Sequence, residues 1–302
     1  MNLHARYPAL ADLRARARTR IPRFVWEYLD SGTGVEATKT RNRLMLDRVM
    51  LSPSILHGEF TPEIGTTLFG HDHALPVGIA PVGMSGMVWP DAERLLARAA
   101  TATGIPYTLS TVATTRPEDV APHLNGQGWF QMYPPRDPNI RADMLKRARD
   151  AGFSVLVMTV DVPVGSRRER QVRSGLTTPP RLTPRLMAQV ARCPAWGLGM
   201  ARMGMPRMRL IDDYAGQTKG LPSNKHAGYL LRTSPDWDYL RCAKRGTGRS
   251  SSRACCAPTM PHGSRPKAPM RSGYRITQAA SSTPPPPPSR RCPRSAPPPR
   301  CH

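Results

Sequence analysis

From residue 75 to residue 163, short apolar runs alternate with longer segments whose apolar residues recur at helical spacing. The apolar runs lie at 75–83, 105–113, 128–134 and 155–163. The helical segments lie at 91–103, 117–124 and 137–151. Strands that alternate with helices of this length are typical of parallel βαβ units. The pattern therefore predicts an α/β protein, with either a doubly wound sheet or a (β/α)8 barrel.

The segment before these runs, residues 8–48, is predicted to be mainly helical. Phe24, Val25 and Tyr28 recur at helical spacing, and Gly32 is predicted to cap the end of their helix. The spacing leaves open whether Tyr28 is a core-facing aromatic or belongs to a site.

Each apolar run ends in polar or glycine-containing sequence. The residues at these ends are Gly83, Ser110, Thr111, Gln131, Tyr133, Thr159, Asp161 and Arg168. In a barrel, the carboxyl ends of the strands converge on one rim, where enzymes of this architecture carry their sites. No Gly-x-Gly-x-x-Gly follows the first run, which argues against a Rossmann dinucleotide site.

The stretch VLVMTVDVPVGSRRER, residues 155–170, shows this ending most strongly. A buried parallel strand that delivers polar groups to a site gives such a pattern. A strand that leaves the core into a solvated basic loop gives it as well, because charged runs are usually solvated. The three earlier runs with similar endings favour the site.

The composition changes near Leu240. Residues 241–302 carry thirteen Lys and Arg and no Asp or Glu, so +13 of the total charge of +23 lies there. Leu, Val, Phe and Trp are absent from this segment, and Pro284–Pro288 is a proline run. A segment without large aliphatic residues buries too little apolar surface to offset its ordering entropy. We therefore divide the chain into a domain at 1–240 and a disordered Pro/Arg/Ser-rich tail at 241–302.

Targeting and metal signals are weak. The N-terminus carries charges throughout, so we expect no signal peptide and a cytoplasmic protein. No apolar run reaches the roughly 18 residues of a membrane-spanning helix. Cys193 is the single cysteine before residue 241, which argues against a disulfide framework. The tail cysteines lack paired C-x-x-C spacing, so no metal site is predicted.

Residues 181–232 form a basic insert that contains several Met and one Trp. Within it, residues 181–210 mix Arg, Met and Trp without a negative charge. Such a segment suits the interface of an anionic bilayer, with Trp196 and the methionines at the headgroup boundary. A long loop over the barrel is the alternative, and the sequence favours neither. If residues 181–210 contact lipid, the protein would lie peripherally on the inner face of the cell membrane.

Five motifs resemble one family, the FMN-dependent (S)-2-hydroxy acid dehydrogenases and oxidases, which includes L-lactate dehydrogenase, mandelate dehydrogenase and glycolate oxidase. The motifs are FVWEYLDSG (24–32), LPVGIAPVGMSGMVWP (75–90), GIPYTLSTVA (104–113), WFQMY (129–133) and TVDVPVGSRRER (159–170). The resemblance covers roughly residues 5–240. It implies a (β/α)8 barrel with FMN at its carboxyl rim, often in homo-oligomers. The Trp89-Pro90 pair looks more like mandelate dehydrogenase.

The resemblance also implies roles for individual residues. The backbone of Pro81, Val82 and Gly83 would meet the flavin ring, and Ser110, Gln131 and Thr159 would hydrogen-bond it. Tyr28 and Arg168 would hold the carboxylate of a small 2-hydroxy acid, a task suited to a planar guanidinium. Tyr133 would hydrogen-bond the substrate oxygen. Asp161 would orient a catalytic histidine that accepts the substrate proton.

The later half of the family pattern is missing from this sequence. It would supply a Lys-Gly strand, a Ser-Asn-His-x-Gly-Arg-Gln motif with the catalytic base, and a phosphate site. His262 stands in Met-Pro-His-Gly-Ser, which does not match. We therefore expect an incomplete (β/α)8 barrel of about the first four βα units, without FMN retention or turnover.

One hypothesis explains the break: residues from about Arg241 onward are translated from a shifted reading frame. RCAKRGTGRSSSRACCAPTM can be encoded so that a neighbouring frame reads LREAWDGPLVVKGVLRPDDA, which contains the missing Lys-Gly strand. The nucleotide sequence tests this hypothesis. Two functions without catalysis compete with the enzyme. They are nucleic-acid binding by the basic tail and membrane-surface binding through residues 181–210.

Overall fold

The computed structural model describes residues 3–160, 166–176, 183–214 and 253–256, together with residues 231, 235, 236 and 239. Its helices are α1 Leu3–Arg6, α2 Leu10–Arg20, α3 Arg23–Asp30, α4 Ala37–Asp47, α5 Ser85–Val88, α6 Ala92–Thr103, α7 Pro117–Val120, α8 Pro138–Asp150, α9 Glu169–Ser174, α10 Pro184–Ala191, α11 Pro194–Met203 and α12 Arg209–Asp212. The helices predicted at 91–103, 117–124 and 137–151 are confirmed. Within the described residues, no helix is long and apolar enough to cross a bilayer.

The strands form two sheets. They are β1 Thr66–Leu68, β2 His71–His73, β3 Tyr107–Ser110, β4 Gly128–Met132, β5 Val155–Met158 and β6 Arg253–Cys256. The larger sheet has the order β3-β4-β5-β6 and is parallel throughout. Three of the four predicted runs are therefore strands, joined by α7 and α8 as βαβ units.

The first predicted strand, 75–83, is reduced to a single parallel bridge between Ile79 and Tyr107. The Ile79 N–H donates to the Pro106 carbonyl at 2.9 Å, and the Thr108 N–H donates to the Ile79 carbonyl at 3.0 Å. Pro76 and Pro81 have no N–H to extend this ladder in either direction. The segment occupies a strand position beside β3 but was wrongly predicted as a full strand.

A hairpin that the sequence analysis missed precedes this bridge. The short strands β1 and β2 pair antiparallel around Phe69 and Gly70. Both turn residues have positive φ, +55° and +85°, as the tight two-residue hairpin turn requires. Three-residue strands carry too little periodic pattern to be recognised from sequence.

The strand β6 lies inside the segment predicted as a disordered tail. Its four residues pair parallel with β5, with Arg253 opposite Val155 and Cys256 opposite Met158. These four residues take a strand geometry beside β5, and the predicted disorder of 241–302 as a whole stays a prediction. The rest of 241–302, including Pro284–Pro288 and His262, lies outside the described residues.

Two apolar clusters hold the structure together. One lies between the sheet and its helices and contains Leu109, Phe130 and Met144. The other joins α3 and α5 to α10 and α11, where Phe24 meets Trp196 edge to face at 5.9 Å. Trp196 is 6% exposed and donates its ring N–H to the Met87 carbonyl at 3.0 Å.

This second cluster corrects two predictions. One of the two interpretations left open placed Trp196 and the methionines at a lipid boundary, but Trp196 and Met200 are buried against the protein. Gly32 was expected to cap α3, but the helix ends at Asp30, and Ser31 is extended with its N–H donated to the Glu27 carbonyl. A pattern of apolar positions cannot distinguish a protein partner from lipid, which explains the error at Trp196.

Candidate active site

Three uncharged polar side chains form a hydrogen-bonded row across the carboxyl ends of β3, β4 and β5. The Ser110 hydroxyl donates to Gln131 Oε1 at 2.9 Å, and Gln131 Nε2 donates to Thr159 Oγ1 at 2.9 Å. All three are buried, with Gln131 1% exposed. The strands place them there because Ser110 is directly opposite Gln131 in the parallel register.

Thr111 supports this row, and the sequence analysis gave it no role of its own. Its hydroxyl donates to the Gln131 carbonyl at 2.5 Å and accepts the Tyr133 N–H at 3.2 Å. A single buried hydroxyl therefore fixes the backbone on both sides of Met132. The Ser110-Thr111 pair at the strand end was the available signal.

The loop from Pro81 to Met84 lies beside the end of β3. The Met84 N–H donates to the Val112 carbonyl at 2.8 Å. A Cβ added to Gly83 would lie 2.7 Å from Val112 Cγ2, so this close approach requires glycine. The Gly83 carbonyl accepts the Tyr28 hydroxyl at 2.8 Å, while Pro81 and Val82 stay half-buried.

Tyr28, Tyr133 and Arg168 come together near this loop. Burial raises the pKa of Tyr28 to about 12, the positive charge of Arg168 opposes the rise, and Tyr133 adds to it. Tyr28 lies on α3, Tyr133 follows β4 and Arg168 precedes α9, so three separate elements contribute to the electrostatic environment of the Tyr28 hydroxyl. Tyr28 therefore stays a hydrogen-bond donor at neutral pH, and its hydrogen points at Gly83.

Arg168 and Arg170 are close in sequence but have different partners. Arg168 is the residue before α9, and its Nε lies 3.4 Å from Ser166 Oγ. Arg170 forms ion pairs with Glu27 at 2.5 Å, Asp30 at 3.1 Å and Glu36 at 2.9 Å. Arg170 thereby fastens α9 to α3 and sets the place of Arg168. Sequence analysis missed this role because the partners are more than a hundred residues away.

The carboxylates of this junction are held in their charged form. Burial opposes the effect, but hydrogen bonds from Arg14, Arg170 and Lys39 lower the pKa of Asp30. The pKa of Glu36 is also lowered, because hydrogen bonds from the Gly32 N–H and Arg170 outweigh burial. The junction is therefore an ion-pair network that is complete at neutral pH.

Glu93 is a second charged residue that the sequence analysis missed. It lies on the buried face of α6 and accepts the Gly86 N–H at 3.1 Å and the Thr114 N–H and hydroxyl, each at 2.8 Å. It ties the start of α5 to the loop after β3. A glutamate one position after Ala92, on the alanine-lined face of an amphipathic helix, was the available signal.

The geometry brings the predicted residues into two groups: the row of Ser110, Gln131 and Thr159, and the Tyr28, Tyr133 and Arg168 group beside Gly83. Asp161 lies outside the described residues, so its predicted role stays a prediction. Polar groups at the carboxyl ends of parallel strands, flanked by βα loops, define an α/β-barrel type of active site.

The comparisons with known proteins agree with this class. The sequence profile described as FMN-dependent dehydrogenase matches residues 17–249. L-lactate dehydrogenase of Xanthomonas campestris pv. campestris (strain 8004) is 38% identical over 214 residues, which cover 70% of this chain and 55% of that protein. The chain therefore spans about half the length of this curated relative.

Solved structures give the same result. A structure described as the monotopic membrane protein (S)-mandelate dehydrogenase superposes with a TM-score of 0.74 at 28% identity, covering 82% of this chain and 65% of that one. Mandelate oxidase with (S)-4-hydroxymandelic acid gives a TM-score of 0.63 at 28% identity, covering 83% and 63%.

The chain belongs to the FMN-dependent dehydrogenase family, whose match extends over most of its length. The family places its fold among the (β/α)8 barrels, as the sequence analysis predicted. FMN is the cofactor of that family. The resemblance stated from the five motifs is thus confirmed.

Proposed function

We propose that this chain carries the rim of an enzyme for FMN-dependent oxidation of a small L-2-hydroxy acid, of lactate or mandelate type, to the 2-oxo acid. The observation that carries the proposal is the buried row of Ser110, Gln131 and Thr159, with the Tyr28 hydroxyl bonded to the Gly83 carbonyl beside the end of β3. The charge of Arg168 and the Tyr133 phenol act on that hydroxyl as well. A cation and two phenols beside a row of neutral hydrogen-bonding groups suit a small carboxylate next to a planar, polar ring.

The residues of the row fit an isoalloxazine. Its edge alternates hydrogen-bond donors and acceptors, and the Gln131 amide offers a second N–H and a second carbonyl lone pair beyond the bonds described above. Gly83 packs against Val112 too closely for a side chain, so it presents only its backbone beside the end of β3. When bound, FMN supplies the acceptor for the two electrons of the substrate.

Arg168 and Tyr28 are proposed to hold the substrate carboxylate. A guanidinium binds carboxylate through two parallel N–H groups. The Tyr28 hydroxyl has one hydrogen, which the Gly83 carbonyl accepts in this structure, so binding requires that hydrogen to turn toward the substrate. Tyr133 is proposed to hydrogen-bond the substrate oxygen. Asp161 is proposed to orient the histidine base that the family pattern supplies.

We also propose that the 302-residue chain does not itself turn over substrate. Its sequence lacks the histidine motif and the phosphate site of the pattern, and the barrel is proposed to stop after about four βα units. The side chain of Val77, beside the single bridge at Ile79, is 55% exposed. An apolar residue next to the sheet edge supports a barrel that is open on that side.

The test compares the chain with a version in which the reading frame after codon 240 is corrected. We expect the corrected chain to be yellow and to reduce an artificial electron acceptor with L-lactate or L-mandelate. The chain as given is expected to be colourless and inactive. A yellow, active chain as given would overturn the proposed inactivity, while a colourless corrected chain would overturn the reading-frame hypothesis.

A peripheral membrane contact through α10, α11 and the following loop is a second proposal. Met187 and Leu198 are 54% and 61% exposed, and Met203 and Met205 are exposed as well. The relative described as a monotopic membrane protein supports the idea. Vesicle flotation of Met187→Ser/Leu198→Ser against the unchanged chain tests it, and equal flotation of both would contradict it. Nucleic-acid binding by the tail stays a prediction, since the tail lies largely outside the described residues.

A further inference from the structure

A cavity of about 430 Å³ opens between the α2–α3 corner and the helices α10 and α11. Its rim carries four arginines, and its floor is apolar. The arginines are Arg18, Arg23, Arg185 and Arg192. Ile21 and Cys193 form the floor and are both buried. Two of these arginines come from the N-terminal helices and two from the basic insert.

The positive charge of this cavity has little compensation. No carboxylate is among the described residues that line it. Arg23 reaches Glu27 only at 3.9 Å, and Arg185 donates one N–H to the Arg173 carbonyl at 3.1 Å. Within the described part of the chain, Arg18 and Arg192 form no ion pair. Like charges around one cavity repel each other, and a bound anion would relieve that repulsion.

The cavity is built into the fold. Gln189 lies in its wall and accepts the Phe24 N–H at 2.9 Å, while its Nε2 donates to the Ser174 carbonyl at 3.2 Å. Cys193 Sγ lies 4.0 Å from the Thr19 carbonyl oxygen. The Gln189 bonds hold α10 against α3 and α9, and the Cys193 contact holds the start of α11 against α2. The fold therefore fixes the backbone that carries the four exposed arginines.

We propose that this cavity binds a phosphate group, with the arginines as its hydrogen-bonding partners. Guanidinium forks match the oxygen geometry of phosphate, and arginine is the preferred residue for that task. The phosphate can be the headgroup of an anionic phospholipid or a free phosphate. The proposal does not depend on the proposed oxidation, because none of the residues that line the cavity belongs to the candidate active site at the strand ends.

The experiment uses the full-length chain and two probes. Inorganic phosphate is titrated calorimetrically, and vesicles of phosphatidylcholine with and without phosphatidylglycerol are used for flotation. The charge variant is Arg18→Gln/Arg192→Gln. The matched control is Arg41→Gln on α4 together with Arg48→Gln directly after it, where both arginines are exposed and outside the cavity. A third variant, Ala188→Trp, fills the cavity but keeps every charge.

We expect the charge variant to bind at least one probe about 30-fold more weakly, which corresponds to two lost arginine contacts. The filled variant should weaken the same probe, and the control should not. A loss confined to phosphatidylglycerol vesicles identifies the lipid headgroup as the source, whereas a loss with inorganic phosphate identifies the free anion. Equal binding by the charge variant and its control, or full binding by Ala188→Trp, would overturn the proposal.

Discussion

The rim and the junction between α3 and α9 bury polar groups in opposite ways. At the rim, Ser110, Gln131 and Thr159 are neutral and satisfy one another. At the junction, Arg170 pairs with three carboxylates, and Arg14 and Lys39 supply the remaining positive charge. Neutral groups keep spare donors and acceptors for a ligand, but a closed ion-pair network does not. The difference separates a surface suited to binding from a surface suited to holding helices in place.

Replacing Gln131 by Leu is expected to have the largest effect on stability. The substitution removes both bonds of the row from a buried site and takes away the acceptor of the Ser110 hydroxyl. We expect a loss of about 3 kcal/mol in the free energy of unfolding, measured in urea. The control is Gln171→Leu, which removes one 3.4 Å bond to the Tyr28 carbonyl and should cost about 0.5 kcal/mol.

Replacing Arg170 by Met should cost less, about 2 kcal/mol, because the network is partly exposed to solvent. The same change at Arg167, whose side chain is 88% exposed and pairs with Glu169 at 3.4 Å, should cost under about 0.5 kcal/mol. Equal losses at the two positions in urea unfolding would show that the junction is an ordinary surface network.

Lowering the pH should reduce the cost of Arg170→Met and leave the cost of Gln131→Leu unchanged. The folded pKa values of Asp30 and Glu36 lie below their ordinary values of 3.8 and 4.5. Their contribution to stability is thus complete above about pH 4.5 and is lost as the pH falls through the lowered pKa values. We expect the cost of Arg170→Met to be unchanged down to about pH 4.5 and to shrink progressively as the pH falls further through the lowered pKa values. The cost of Gln131→Leu should stay constant, and a parallel decline of both would refute the distinction.

Tyr28→Phe gives the smallest expected change. It removes the bond to the Gly83 carbonyl and should cost about 1 kcal/mol of unfolding free energy. In the frame-corrected chain it should raise KM for the hydroxy acid more than it lowers kcat, because the hydroxyl is proposed to bind the carboxylate. Steady-state kinetics with L-lactate or L-mandelate measure this, and an unchanged KM would remove Tyr28 from the substrate site.

Local pattern was enough to predict three strands, their helices and the polar residues at the strand ends. It failed where the answer depends on distant partners. Arg170 pairs with Asp30 across 140 positions, and the burial of Trp196 depends on Phe24 in another helix. It also failed at residues 75–83, where apolar residues predicted a strand but prolines removed the donors. The five motifs predicted the family, because the predicted site residues all lie within them.

The pairing of β6 with β5 bears on which substitutions residues 253–256 can accept. A strand ladder uses backbone N–H and carbonyl groups, so any non-proline residue at 253–256 can supply the hydrogen bonds that pair this strand with β5. Other substitutions at these four positions would keep the backbone donors and acceptors of the ladder, whereas a change to proline would remove a donor. A change of reading frame that introduces no proline at these positions would therefore leave the hydrogen-bonding groups of the sheet edge in place.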